Sequence, residues 1–93
     1  MPKYLIEVPH GATKEECHKA IEIFLNTGSH FLTHADWGCM DNVHKAWFMA
    51  EVDSKEDARM IVPPMYRSHA TIVMLVQFPM HESEAIVAKH QAK

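Results

Sequence analysis

The stretch SHFLTHADWGCMDNVHKAWFMAEV, residues 29–52, decides the fold. His30 to Trp37 alternates: Phe31, Thr33, Ala35 and Trp37 share one face, and Leu32, His34 and Asp36 the other. That period predicts a strand. Gly38 to Val43 is rich in turn-forming residues, with Asp41-Asn42 as the expected tip. His44 to Val52 alternates again, with Ala46, Phe48, Ala50 and Val52 on one side and Lys45, Trp47, Met49 and Glu51 on the other. The reading is a hairpin at the centre of the chain.

On the N-terminal side, Tyr4 to Val8 reads as a strand with Tyr4, Ile6 and Val8 on one face, ended by Pro9-His10-Gly11. Thr13-Lys14-Glu15-Glu16 is a capping box, with Glu16 reaching back to Thr13. The helix it opens carries Cys17, Ala20, Ile21, Phe24 and Leu25 as one apolar stripe, and Gly28 follows its end.

On the C-terminal side, Ser54-Lys55-Glu56-Asp57 repeats the capping pattern before a short helix that buries Ala58, Ile61 and Val62. Pro63-Pro64 ends that helix, and Met65 to His69 reads as an irregular turn. Thr71 to Phe78 is nearly continuous apolar sequence, which predicts a strand buried on both faces. Residues 79–93 read as a C-terminal extension, with a weakly amphipathic helix over 82–90. The order β-α-β-β-α-β predicts an α+β, ferredoxin-like domain: a four-stranded antiparallel sheet with both helices on one face.

That arrangement leaves Leu5, Glu7, Leu32, His34, Asp36, Trp47, Met49 and Glu51 on the open face. A face so rich in Leu, Trp and Met predicts a partner, and two sheets packed face to face in a homodimer is the economical form. KYLIEV (3–8), HADWG (34–38), HKAWFMAEVDSKEDAR (44–59) and PPMYRSHATIVMLVQF (63–78) resemble the small dimeric α/β-barrel proteins. Within these the chain resembles bacterial domains of unknown function that include nickel-binding members. The resemblance implies the ferredoxin-like fold and the homodimer. The superfamily spans cofactor-free monooxygenases, isomerases, haem-handling enzymes and metal-binding proteins, so it implies no single activity.

The composition narrows the classes. A chain of 93 residues with 47% hydrophobic residues is one domain. Its formal net charge of -3 and scattered cations argue against nucleic acid as a partner. No segment has the length of a membrane span and the N-terminus lacks a signal core, so a cytoplasmic setting is expected. Cys17 and Cys39 make no disulfide framework, and Cys17 reads as a buried core thiol.

Chemistry concentrates in the hairpin. His34, Asp36, Cys39 and His44 offer N, S and O donors within eleven positions, a set suited to a divalent transition metal such as nickel, zinc or copper. His10, at the end of the first strand, is a possible additional ligand. The same residues read otherwise as ordinary polar groups on a hairpin. A second reading makes His34 a general base oriented by Asp36, in a cavity where Trp47 and Glu7 bind the ligand; Trp47 is expected opposite His34, and Lys45 opposite Asp36. Its plain alternative is a structural His-Asp hydrogen bond. Cys39 activated by His44 is a weaker nucleophile candidate. Trp37 reads as core; Arg67 and Tyr66 read as residues able to reach a cavity mouth, and Arg67 more readily as a solvated surface residue. A third reading is an assembly module without ligand.

Overall fold

Alternation in residues 3–9 builds the strand around which the rest is arranged. The computed structural model describes residues 1–79. In it β1 (Lys3–Pro9) is followed by α1 (Lys14–Asn26), α2 (His30–Thr33), β2 (Asp36–Trp37) and a single 3-10 turn at Cys39–Asp41. Then come β3 (Lys45–Glu51), α3 (Lys55–Ile61), α4 (Pro64–Arg67) and β4 (Thr71–Leu75). The four strands form one sheet in the order β2-β3-β1-β4. Every neighbouring pair is antiparallel, so the class is α+β. The helix expected over 82–90 lies outside the described residues. No helix among the described residues is long and apolar enough to cross a membrane.

β1 pairs with β3 along its whole length, from Lys3 opposite Glu51 to Pro9 opposite Lys45. Its other edge pairs with β4, from Lys3 opposite Leu75 to Glu7 opposite Thr71. Tyr4, Ile6, Val8, Ala46, Phe48 and Ala50 are buried on the helix side, together with Phe24, Leu32, Ala58 and Val62. Phe24 sits at the centre, 4.9 Å from the Trp37 ring, 6.4 Å from Phe48 and 6.2 Å from Tyr66.

The starts of α1 and α3 follow the capping rule. The Thr13 hydroxyl accepts from the Glu16 amide at 3.1 Å and donates to the Glu16 carboxylate at 2.9 Å. Ser54 accepts from the Asp57 amide at 3.1 Å. α3 ends against Pro63, and Arg67 closes it from outside: its guanidinium donates to the carbonyls of Val62 (3.1 Å) and Met60 (3.3 Å). Arg67 thus finishes a helix, and it is not among the residues that line the cavity with His34 and Asp36.

Three expectations are corrected. His30–Trp37 is not one strand: Ser29 opens a single helical turn at His30–Thr33, and only Asp36–Trp37 joins the sheet. The turn drops Leu32 into the core, 1% exposed, while His30, Thr33 and His34 stay outside. A strand would have left Leu32 on the open face, and burying it is worth about 2 kcal/mol. The register also differs by two residues, since Asp36, not His34, lies opposite Trp47. Finally, β4 stops at Leu75 and buries only Ile72 fully, with Val73 45% and Met74 52% exposed. It is an edge strand, which a continuous apolar run alone does not reveal.

Candidate metal centre

The antiparallel β1–β3 pair brings three connections to one end of the sheet: the exit of β1, the entry of α1 and the β2–β3 turn. His10 leaves β1 with its amide still donating to the His44 carbonyl at 3.1 Å, which extends the ladder. Cys17 is held in the first full turn of α1, where its amide donates to the Thr13 carbonyl at 3.0 Å. Cys39 opens the 3-10 turn immediately after Gly38. That turn is tied down by Val43 N–H to Gly38 O at 2.9 Å and by Asn42 N–H to Cys39 O at 3.1 Å. Asn42 takes the left-handed conformation, φ 62°, that the tip requires. At Gly38 a Cβ would stand 2.7 Å from the Val43 carbonyl oxygen and 2.9 Å from the Trp47 ring, so only glycine fits without a shift.

The result is a compact donor set. One Nε2 or Nδ1 of His10 and the sulfurs of Cys17 and Cys39 lie within 4.8 Å of one another, and this group can hold a metal ion. The Cys17 thiol donates to Cys39 Sγ at 2.8 Å, and Cys39 Sγ lies 3.3 Å from His10 Nε2. His10 Nδ1 donates to the Gly11 carbonyl at 3.0 Å. A carbonyl can only accept, so Nδ1 is the donor in this bond and Nε2 is the nitrogen that faces the thiols. The His10 ring rests 5.7 Å from that of Trp37, which in turn packs on Phe24, so the core holds one wall of the site. All three donors are half-buried. Burial, and then the adjacent Cys17 thiol, push the Cys39 thiol up from 9.0 to about 11.

The expected ligands separate. Cys39 belongs to this group and His10, the additional candidate, completes it; His34 and Asp36 are not members. Cys17 is not a core residue but a half-buried thiol facing its partner. His44 stands next to the group, its ring edge-on to His10 at 6.1 Å. Its Nδ1 is buried without a hydrogen-bond partner among the described residues. What marks Cys17 in the sequence is its place just after the Thr13 cap. A helix that follows β1 starts at the end of the sheet where His10 emerges.

His34 and Asp36 lie elsewhere. Both line an open cavity of about 240 Å³ with Leu5, His30, Trp47 and Met49. His34 is exposed, and its Nδ1 donates to the His30 carbonyl at 2.7 Å rather than to Asp36. The carboxylate that meets Trp47 is Glu7, which accepts from the indole Nε1 at 3.0 Å and from Lys45 Nζ at 3.4 Å. Trp37 packs against the core as expected. No protein-family model, curated protein or solved structure matches this chain.

Proposed function

We propose that this chain is a small metal-binding protein whose ligands are His10, Cys17 and Cys39, with a divalent transition metal as the bound species. The observation that carries the reading is the convergence of one imidazole and two thiols from three separate segments, with His10 Nδ1 bonded to the Gly11 carbonyl and Nε2 turned to Cys39. Two thiolates and an imidazole suit zinc first, and nickel or copper next. Three protein donors leave a fourth position for water or an exchanging ligand. The His44 ring, edge-on to His10 at 6.1 Å, stands beside the group but outside it. Two thiols kept reduced for metal fit a reducing compartment such as the cytoplasm.

The strand order β2-β3-β1-β4, with helices α1 and α3 as the two crossovers, supports a ferredoxin-like topology. We propose a second copy of the chain as the partner of the open sheet face. That face mixes apolar Leu5, Met49 and Val73 with Lys3, Lys45, Glu7 and Glu51. A two-fold contact places such a patch against itself, and a patch with both signs of charge can be self-complementary.

The test is elemental analysis of tag-free protein, followed by titration with cobalt(II) and displacement by zinc. Tetrahedral cobalt bands with a thiolate charge-transfer shoulder, lost in Cys17→Ser and in Cys39→Ser, are the expected result. A featureless titration overturns the reading. A second reading, a cavity enzyme using His34 and Asp36, rests on their shared lining of the 240 Å³ cavity with Trp47. It predicts ligand binding that survives loss of both cysteines.

A further inference from the structure

We propose that Cys17 and Cys39 form a reversible dithiol–disulfide couple, so that oxidation by a small-molecule disulfide and metal occupancy exclude one another at this site. The exclusion, not the couple itself, rests on the metal reading above.

Both sulfurs are free thiols and already touch at 2.8 Å. A covalent S–S bond is about 2.05 Å long, so pairing needs a movement of roughly 0.8 Å. Two thiolates on one tetrahedral ion at about 2.3 Å each stand roughly 3.7 Å apart, so loading needs a movement of similar size in the opposite direction. The resting geometry thus lies between the two states. The sulfurs are brought together by ordered segments: Cys17 is held in the first turn of α1, and Cys39 in the bonded 3-10 turn. Neither sulfur is sealed in the core, so a small reagent has access.

The chemistry balances with oxidised glutathione as the oxidant. One protein thiol gives up its proton, and its sulfur attacks the glutathione disulfide. A mixed disulfide forms and one glutathione thiolate leaves, taking up a proton. The second protein sulfur, deprotonated in turn, attacks the mixed disulfide at the protein-bound sulfur. The protein disulfide forms and the second glutathione leaves as a thiol. Two electrons pass from protein to glutathione, and both protons end on the two glutathione thiols. When an ion is bound, both thiolates are engaged; their oxidation removes two ligands and releases the ion with its own charge unchanged.

The experiment follows free thiols by alkylation and intact mass. Metal-free and zinc-loaded protein are compared over a series of reduced and oxidised glutathione ratios. Metal-free protein is expected to lose both thiols together, without retained glutathione. Its Cys17–Cys39 disulfide should form with an effective concentration at least about tenfold above that of the same chain in denaturant. Cys17→Ser and Cys39→Ser should instead accumulate one glutathione adduct. Retained glutathione on the unaltered chain, or no advantage over the denatured chain, overturns the couple. Zinc should slow the loss of thiols at least about tenfold and appear in solution as they are lost. Bound zinc that leaves the rate unchanged overturns the exclusion. Failure to bind zinc overturns the metal reading and the exclusion together, while the thiol count still judges the couple.

Discussion

His10 Nε2 and Cys39 Sγ lie 3.3 Å apart although 29 positions separate them in the chain. The contact joins the exit of the central strand to the turn after β2. It makes the position of a metal ligand depend on the sheet itself, and it sets the first prediction. His10→Ala, Cys17→Ser and Cys39→Ser should each weaken zinc at least about 100-fold, or about 2.7 kcal/mol. His34→Ala and Asp36→Ala, which line the cavity on the open face, should leave zinc affinity unchanged. Competition titration against a chromogenic chelator measures both.

The Cys39 thiol gives the pH dependence. Its ordinary value is 9.0 and the folded protein holds it near 11 through burial and then Cys17. Below pH 9 both folded and unfolded chains keep the proton, and this group's contribution is intact. Between pH 9 and about 11 only the unfolded chain ionises, so the metal-free protein loses stability as pH rises. Tyr66, raised by burial and then by Glu16, acts in the same direction at higher pH. Urea midpoints measured from pH 8 to 11 should fall, and Cys39→Ser should fall less.

Metal affinity runs the other way. An ion must displace the thiol protons, so apparent affinity should rise by about tenfold per pH unit for each proton released, up to about 100-fold for two, while the thiols remain protonated in the metal-free protein. Zinc affinity at pH 6.5 and 7.5 checks this.

Gly38→Ala should disturb the site without touching a ligand. The added methyl meets the Val43 carbonyl and the Trp47 ring inside 3.0 Å, and the turn that carries Cys39 must move. A cost of about 1–3 kcal/mol and a weaker metal site are expected. Thermal melts and the cobalt spectrum report the two effects separately.

Phe24→Ala should be among the most damaging core changes. Its ring meets those of Trp37, Phe48 and Tyr66 and is 1% exposed. A loss of about 3–5 kcal/mol is expected. Thr13→Ala, by contrast, should cost about 1 kcal/mol through the helix cap alone.

The legible parts of the chain were those with strong local signals. The alternation of Tyr4, Ile6 and Val8 and of Ala46, Phe48 and Ala50 matches their burial residue for residue. Thr13 and Ser54 cap the helices they were expected to cap. His30–Thr33 was misread because a single turn placing one leucine is too short to show a helical period. Of the group that can hold a metal ion, Cys39 is among the four ligands the hairpin suggests and His10 an additional candidate, but no local pattern pairs Cys17 with Cys39, 22 positions away. That pairing arises only when the sheet has assembled.

The three donors come from a strand exit, a helix entry and a turn, so an ion bound there would act as a clasp between parts of the chain that unfolding would scatter. Clasps of this kind make folding a function of supply. With the free ion at 100 times its dissociation constant, the native state gains about 2.7 kcal/mol that a metal-starved solution withholds. The melting temperature of this protein would then read out how much free metal surrounds it.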